Sequence, residues 1–315
     1  MSPIMANLPV ALITSLAVVA GGGALCVAYG VFVERRWYRR RRYRLPVLPA
    51  GTGPVSLLHL SDLHFMRRDR RKADFIATFS PPDVTVVTGD LLGEPAGVET
   101  VVAALRPVRG RLASYVVLGS NDYYAPRPLN YLNYFRKERR RRKGIRGRAP
   151  ELIEQLEADG WTHLNNRRVT LSADGARFEV LGLDDPHIER HDLRVAPRSD
   201  PDAFGLAVVH SPDPVPELVA LDYRLIVTGH THGGQVRLPV VGAVVTNSAM
   251  PAKLSMGLSR LGPALMHVSP GLGTSKFAPF RFLCRPEATV LELAPQDPGG
   301  AEDGQAATTR SNTRS

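Results

Sequence analysis

Six short aliphatic runs, each followed by polar or charged residues, constrain this chain more than any other feature. They are Val55–Leu60, Val84–Thr88, Tyr115–Leu118, Phe178–Gly182, Leu206–Val209 and Leu225–Thr228. Runs this short and apolar at successive positions fit strands covered on both faces. Helical patterns lie between them, at Val98–Leu105 and Glu151–Asp159. The alternation predicts an α/β domain. The residues just beyond each run matter as much. Asp62 and His64 come after the first, Asp90 after the second, and Asn121 and Asp122 after the third. Asp184 and Asp185 come after the fourth, His210 ends the fifth, and His230 and His232 come after the sixth. In open α/β sheets ligands gather outside the carboxyl ends of strands. Six polar strand ends therefore predict one shared site.

The residue types narrow its chemistry. The chain has two cysteines, Cys26 and Cys284, far apart in sequence. That excludes a disulfide framework and a cysteine-rich zinc site. Imidazole, carboxylate and amide groups remain as metal ligands. Taken singly, each piece is weak. Asp-x-His and Gly-Asp after a strand are ordinarily turns, and one histidine at a strand end is more often structural than a ligand. His230-x-His232 is more specific, because alternate residues of an extended segment project to one side. The set in order is the signal: Asp62-x-His64, Gly89-Asp90, Gly119-Ser120-Asn121-Asp122, His210 and Gly229-His230-x-His232.

This order of motifs, with a strand before each, resembles the calcineurin-like metallophosphoesterase family over nearly all of residues 55–293. Leu164-Asn165-Asn166, Gly182 to Pro186, Gly229 to Gln235 and Gly271-Leu272-Gly273-Thr274-Ser275 resemble its bacterial membrane-associated branch, related to UDP-2,3-diacylglucosamine hydrolases. The resemblance implies a β-sandwich of two mixed sheets flanked by helices. It also implies two divalent ions, Mn, Fe or Zn. Asp62, His64 and His232 would hold the first, His210 and His230 the second, and Asp90 would bridge them. Mixed imidazole and carboxylate ligands suit such metals better than Mg²⁺ or Ca²⁺. The implied activity is phosphoester hydrolysis by metal-activated water. The third motif departs from the family's Gly-Asn-His-Asp/Glu. Aligned strictly, Ser120 replaces the amide ligand and Asn121 the histidine that assists the leaving group. A one-residue shift would return Asn121 to the second metal. Asn121 and Asp122 are the catalytic candidates at this motif, and His187 is a candidate proton donor.

The N-terminus adds a membrane expectation. Leu8 to Val33 carry no charge over 26 residues, about 39 Å as a helix, enough to cross a hydrocarbon core of about 30 Å. No Lys or Arg precedes the run, and it is long for a cleaved signal peptide. An uncleaved single span at residues 1–33 is expected. Residues 34–44 then hold seven Arg and one Glu, so the positive-inside rule puts the main domain in the cytoplasm. Residues 34–54 read as a basic juxtamembrane linker, with Trp37, Tyr38 and Tyr43 at interfacial depth. Residues 55–294 read as the catalytic domain and 295–315 as a disordered tail.

The net charge of +10 is local. Residues 34–44 contribute +6 and residues 136–148, with nine Lys or Arg and one Glu, contribute +8, which leaves −4 for the rest. That disfavours a nucleic-acid coat and favours two anion-facing patches. The second patch, with Tyr123, Tyr124, Tyr131, Tyr134 and Phe135 before it, is expected to form a lip against anionic membrane lipids. The expected function is hydrolysis of a lipid or lipid-linked phosphodiester. A metal-binding membrane scaffold or sensor, or a nucleotide or nucleic-acid phosphodiesterase, is the alternative.

Overall fold

The computed structural model describes residues 3–126 and 145–296. An apolar helix, α1 (Pro3–Ala28), leads through a short wider turn and a tighter one into the domain. The first sheet has β1 (Arg39–Leu48), β2 (Val55–Leu60), β3 (Val84–Thr88), β4 (Ala113–Val117), β5 (Thr162–His163) and β14 (Glu287–Pro295), in the order β1-β14-β2-β3-β4-β5. The second has β6 (Arg167–Ala173), β7 (Ala176–Leu183), β8 (Phe204–Val209), β9 (Leu225–Thr228), β12 (Gly257–Leu261) and β13 (Ala264–Val268), in the order β12-β13-β9-β8-β7-β6. A small antiparallel hairpin, β10 (Arg237–Leu238) and β11 (Gly242–Ala243), stands apart. Both large sheets mix parallel and antiparallel pairs.

The aliphatic runs are apolar at successive positions because each strand is covered twice. Leu57, Val86, Val208 and Val227 point between the two sheets. Leu58 and Val87 point outward under α2 (Arg70–Ala77), α3 (Val98–Leu105) and α5 (Ala149–Ala158). Val209 and Ile226 point outward under α6 (Val215–Ala220). Each of the six expected runs is a strand or lies largely within one. The parallel strands β2, β3 and β4 in one sheet and β7, β8 and β9 in the other bring their carboxyl ends to one rim.

The stretch expected to be a linker holds a ten-residue strand instead. β1 runs parallel to β14, with Arg39 opposite Glu287 and Leu45 opposite Leu293. Its alternation is hidden by arginine. Arg40, Arg42 and Arg44 face out, while Arg41, Tyr43 and Leu45 face in. Arg39 and Arg41 pair with the buried carboxylate of Glu287 at 2.5 and 2.9 Å. Outward arginines also blunt an edge strand against further pairing. Tyr43 is buried and Tyr38 stacks on Phe75 at 5.1 Å, so neither sits where the interfacial expectation put it; Trp37 is 52% exposed. Most of the second basic run and its aromatics, residues 127–144, lies outside the described residues, as does the tail beyond residue 296.

Replacing Leu45 or Leu48 by Ala in the full chain distinguishes strand from linker. Both side chains are almost fully buried, and each loss is expected to cost about 2–5 kcal/mol. Thermal melts should show a fall of several degrees for each variant. Unchanged melting would contradict the strand.

Candidate metal centre

Backbone hydrogen bonds alone already tie the rim loops to one another. After β2 and β3, Asp62 N donates to Gly89 O at 3.0 Å, His64 N to Asp90 O at 2.9 Å, and Phe65 N to Leu91 O at 2.8 Å. After β8 and β9, Gly229 N donates to His210 O at 2.8 Å. The loop after β13 closes on the same residues, with Gly273 N donating to Asp62 O at 2.7 Å. Asp62, His64, Asp90, His230 and His232 all adopt left-handed backbone, with φ between 44° and 66°. That conformation is uncommon for residues other than glycine. It costs of order 1–3 kcal/mol where the surroundings impose it, and it concentrates at functional sites. Gly229 has a different constraint: a Cβ there would run into Ser61 Oγ and the Asp62 carboxylate.

The side chains converge on one small volume. Ligand atoms of Asp62, His64, Asp90 and His232 all lie within 4.8 Å of one another. His64 Nε2 is 3.2 Å from His232 Nε2, and His232 Nε2 is 3.4 Å from Asp62 Oδ1. On the other side, His230 Nδ1 is 3.2 Å from His210 Nε2. Asp90 stands between, with Oδ2 3.6 Å from His64 Nε2 and Oδ1 3.7 Å from His210 Nε2. Backbone carbonyls fix two of the rings. His210 Nδ1 lies 2.7 Å from Thr88 O and His230 Nε2 lies 3.2 Å from Asn247 O. In a neutral ring, a nitrogen donating to a carbonyl leaves its partner nitrogen as a lone pair, which here would face the cluster.

This donor set fits a divalent cation. Asp62 Oδ1 is buried, and no hydrogen-bond donor among the described residues reaches it. Burial pushes the imidazoles of His64 and His230 down to about 4 and about 3, so they present lone pairs at neutral pH. Burial also raises Asp62 to about 6. Burial opposes the charge on Asp90 too, but His210 and two bonds from Asn121 outweigh it and hold Asp90 below the usual carboxylate range. His210 goes the other way. Burial opposes its charge, but Asp90, Asp185 and Asp62 outweigh that and raise it to about 9. The carboxylates that hold a proton on His210 are also suited to a metal, whose binding would displace that proton.

The remaining expected residues separate into two groups. Asn121 is at the cluster: its backbone N donates to Asp90 Oδ1 at 2.9 Å and its amide nitrogen to Asp90 Oδ2 at 2.5 Å. Its amide carbonyl is one side-chain rotation from the same position. His187 is there too, its ring packed on His230 with centroids 4.4 Å apart. Asp122, expected as a catalytic partner, is turned away from the reacting volume. Its two oxygens accept the backbone N–H groups of Leu92 at 2.9 Å and Gly119 at 3.0 Å, and burial raises it to about 8. It braces the loops after β3 and β4. Ser120 opens α4 (Ser120–Tyr123) and no side-chain bond joins it to the cluster among the described residues.

Arg281 lies outside every motif of the sequence. Its guanidinium is fully buried and donates to the carbonyls of Pro270, Gly271, Gly273 and Cys284 at 2.7–3.2 Å. It thereby shapes the loop that closes on Asp62. An arginine between two phenylalanines is the only trace of it in the sequence. Tyr123, expected in a lipid-facing lip, is turned inward: its hydroxyl contacts Asp184 at 2.9 Å and accepts from Asn165 at 2.7 Å. Asp184 in turn accepts from Arg190 at 2.9 Å.

A family profile described as calcineurin-like phosphoesterase matches residues 55–234. An uncharacterized metallophosphoesterase of Bacillus subtilis, YkuE, is 26% identical over 88% of this chain and 92% of its own length. Phosphodiesterase YaeI of Escherichia coli is 26% identical over 84% and 92%. A UDP-2,3-diacylglucosamine pyrophosphatase of Chlamydia trachomatis, LpxG, is 25% identical over 80% and 87%.

Arg281→Met tests the buried brace. It leaves several buried carbonyls without their donor, at an expected cost of about 3 kcal/mol or more. Calorimetry should show a clearly lower melting temperature. An unchanged one would mean that Arg281 does not support the site.

Proposed function

We propose, for a chain that belongs to the calcineurin-like phosphoesterase family, that it hydrolyses the phosphoester of a membrane lipid or lipid-linked molecule with two divalent ions, Mn, Fe or Zn. Asp62, His64 and His232 would hold the first ion. His210, His230 and the Asn121 amide would hold the second. The disposition of Asp90 carries the reading: one carboxylate oxygen faces His64 at 3.6 Å and the other faces His210 at 3.7 Å. A carboxylate aimed two ways between imidazoles suits ions about 3.5–4 Å apart. Bound there, the ions would acidify an attacking water and offset charge growing on the phosphoryl oxygens.

The chain's own residues supply the rest. Thr88 and Asn247 carbonyls hold the His210 and His230 rings in the tautomers that face the site. Asp122 is a positioning residue, acting through the loops on which Asp90 and Asn121 stand. Asn121 has no acidic proton to give. His187, packed against His230, is assigned the proton that goes to the leaving oxygen.

The lipid part of the reading rests on the N-terminus and on relatives. Ile13–Arg36 is long and apolar enough to cross a membrane, with mean hydropathy 2.1 over its best window. We read it as an uncleaved anchor, with the arginines of residues 34–44 and the catalytic domain on the cytoplasmic side. Two relatives are named as a phosphodiesterase and as a UDP-2,3-diacylglucosamine pyrophosphatase.

The test uses the full chain in detergent with Mn²⁺ and bis(4-nitrophenyl) phosphate. Wild type should turn over, and Asp90→Asn should lower kcat/KM about 10³-fold, a loss of several kcal/mol of transition-state stabilisation. His187→Gln should cost about 10²-fold, and more on a phenyl than on a nitrophenyl leaving group. A wild type inactive with Mn²⁺ and also when Fe²⁺ or Zn²⁺ replaces it, or full activity in Asp90→Asn, would overturn the two-metal reading.

A further inference from the structure

A cleft of ≈ 310 Å³ runs from His64 at the metal centre to the foot of α1. Its charged walls come from separate parts of the chain: Arg35 and Arg36 below the helix, Arg68 and Asp69 after β2, Lys72 in α2, and Lys276 after β13. Lys72 and Asp69 are paired at 2.5 Å, and Lys276 pairs with Glu94 at 2.9 Å. Arg35 donates to the Val31 carbonyl at 2.5 Å. Among the described residues, none of Arg35, Arg36 and Arg68 has a carboxylate within ion-pairing distance. Asp69, already paired with Lys72, is the cleft's carboxylate and acts on Arg35 from a distance, so the cleft keeps an excess of positive charge suited to an anion.

The helix foot is fixed against the domain, so the cleft is a built feature. The buried carboxylate of Glu34 accepts the backbone N–H groups of Leu283 at 2.9 Å and Cys284 at 2.5 Å. Gly30 is buried against Phe280 and the Arg281 carbonyl, where no side chain fits. Arg281 at the far end of that contact is the residue that shapes the loop closing on Asp62. Beside the foot is an apolar rim: Phe32 is 66% exposed, and Val240 and Val241 at the β10–β11 tip are fully and 70% exposed. The hairpin reaches the foot through Phe282, whose carbonyl accepts from Arg237 N at 2.9 Å and whose ring meets Tyr29 edge-on at 6.3 Å. Exposed apolar side chains at the foot of an apolar helix and on the hairpin tied to it, with a cationic cleft at the same foot, match a lipid: chains on the apolar side chains, head group in the cleft.

We infer that this cleft is a second anion subsite, which takes an anionic group of a membrane lipid's head alongside the phosphoester held at the metal centre. The inference rests on the phosphoester reading above and adds the substrate class: a lipid with a second anionic group in its head. Arg35 and Arg36 make the anchor part of the substrate site.

The test measures dissociation constants for the full chain in detergent micelles by calorimetry, with phosphatidylglycerol phosphate, phosphatidylglycerol and inorganic pyrophosphate as probes. The lipid with the extra phosphate should bind about tenfold tighter than the one without, the worth of one charge-assisted contact. That preference should vanish in Arg35→Ser/Arg36→Ser/Arg68→Ser and persist in the matching triple Lys variant, which also checks folding. A preference kept in the Ser variant, or absent from wild type, overturns the subsite. Pyrophosphate binding as tightly as the phosphorylated lipid overturns the lipid source. If the preference appears while bis(4-nitrophenyl) phosphate is not hydrolysed, the hydrolytic reading falls and the subsite stands. If hydrolysis holds and the preference is absent, the subsite falls alone.

Discussion

Imidazole and carboxylate groups turned into one small volume are the constraint on which the rest of this structure depends. Two pairs of imidazole nitrogens meet at 3.2 Å, and carboxylate oxygens approach the same nitrogens at 3.4–3.7 Å. Buried groups of this kind repel or compete for a few protons unless a cation gathers them. The backbone that positions them is costly. Five of the six Asp and His residues sit in left-handed backbone. Loops from both sheets are hydrogen-bonded to one another beneath them, and a fully buried arginine ties off the loop that closes on Asp62. A donor set aimed in advance by its loops is what a metal-dependent phosphoesterase needs, because little reorganisation is left for the moment of binding.

The sandwich explains how such a set can be built from six separate places. Parallel strands in both sheets end at one rim, so every loop delivers its residue to the same side. Core packing on both faces of each strand keeps the rim rigid. The cluster is therefore a property of the whole fold: it draws on β2, β3 and β4 from one sheet, on β8 and β9 from the other, and on the loop after β13.

That same logic decides what is legible in the sequence. Val84–Thr88 and Leu225–Thr228 can be read as strands because double coverage makes them continuously apolar, and Asp90 and His230 can be read as rim residues from their place just beyond. The opposite holds for β1, where inward Arg41 is neutralised by Glu287, a partner 246 residues away. No local pattern announces such a pair, and the seven arginines of residues 34–44 read as a basic juxtamembrane linker. Asp122 differs from expectation for a related reason. Its neighbour Asn121 reaches Asp90, but the short turn of α4 sends the next side chain back to backbone amides. Arg281 and the carbonyls of Thr88 and Asn247 are invisible in the sequence because the support behind the ligands is set by three-dimensional proximity, without sequence spacing.

X-ray absorption on the zinc-loaded full chain tests the central claim most directly. The expected result is a shell of nitrogen and oxygen nearest the zinc, at about 2.0–2.2 Å, with more distant scattering from imidazole rings. His64→Ala/His232→Ala should weaken that imidazole signature, leaving the part that His210 and His230 contribute, while remaining folded. A shell of oxygen alone in the wild type, as from a hydrated ion on the surface, would contradict the claim.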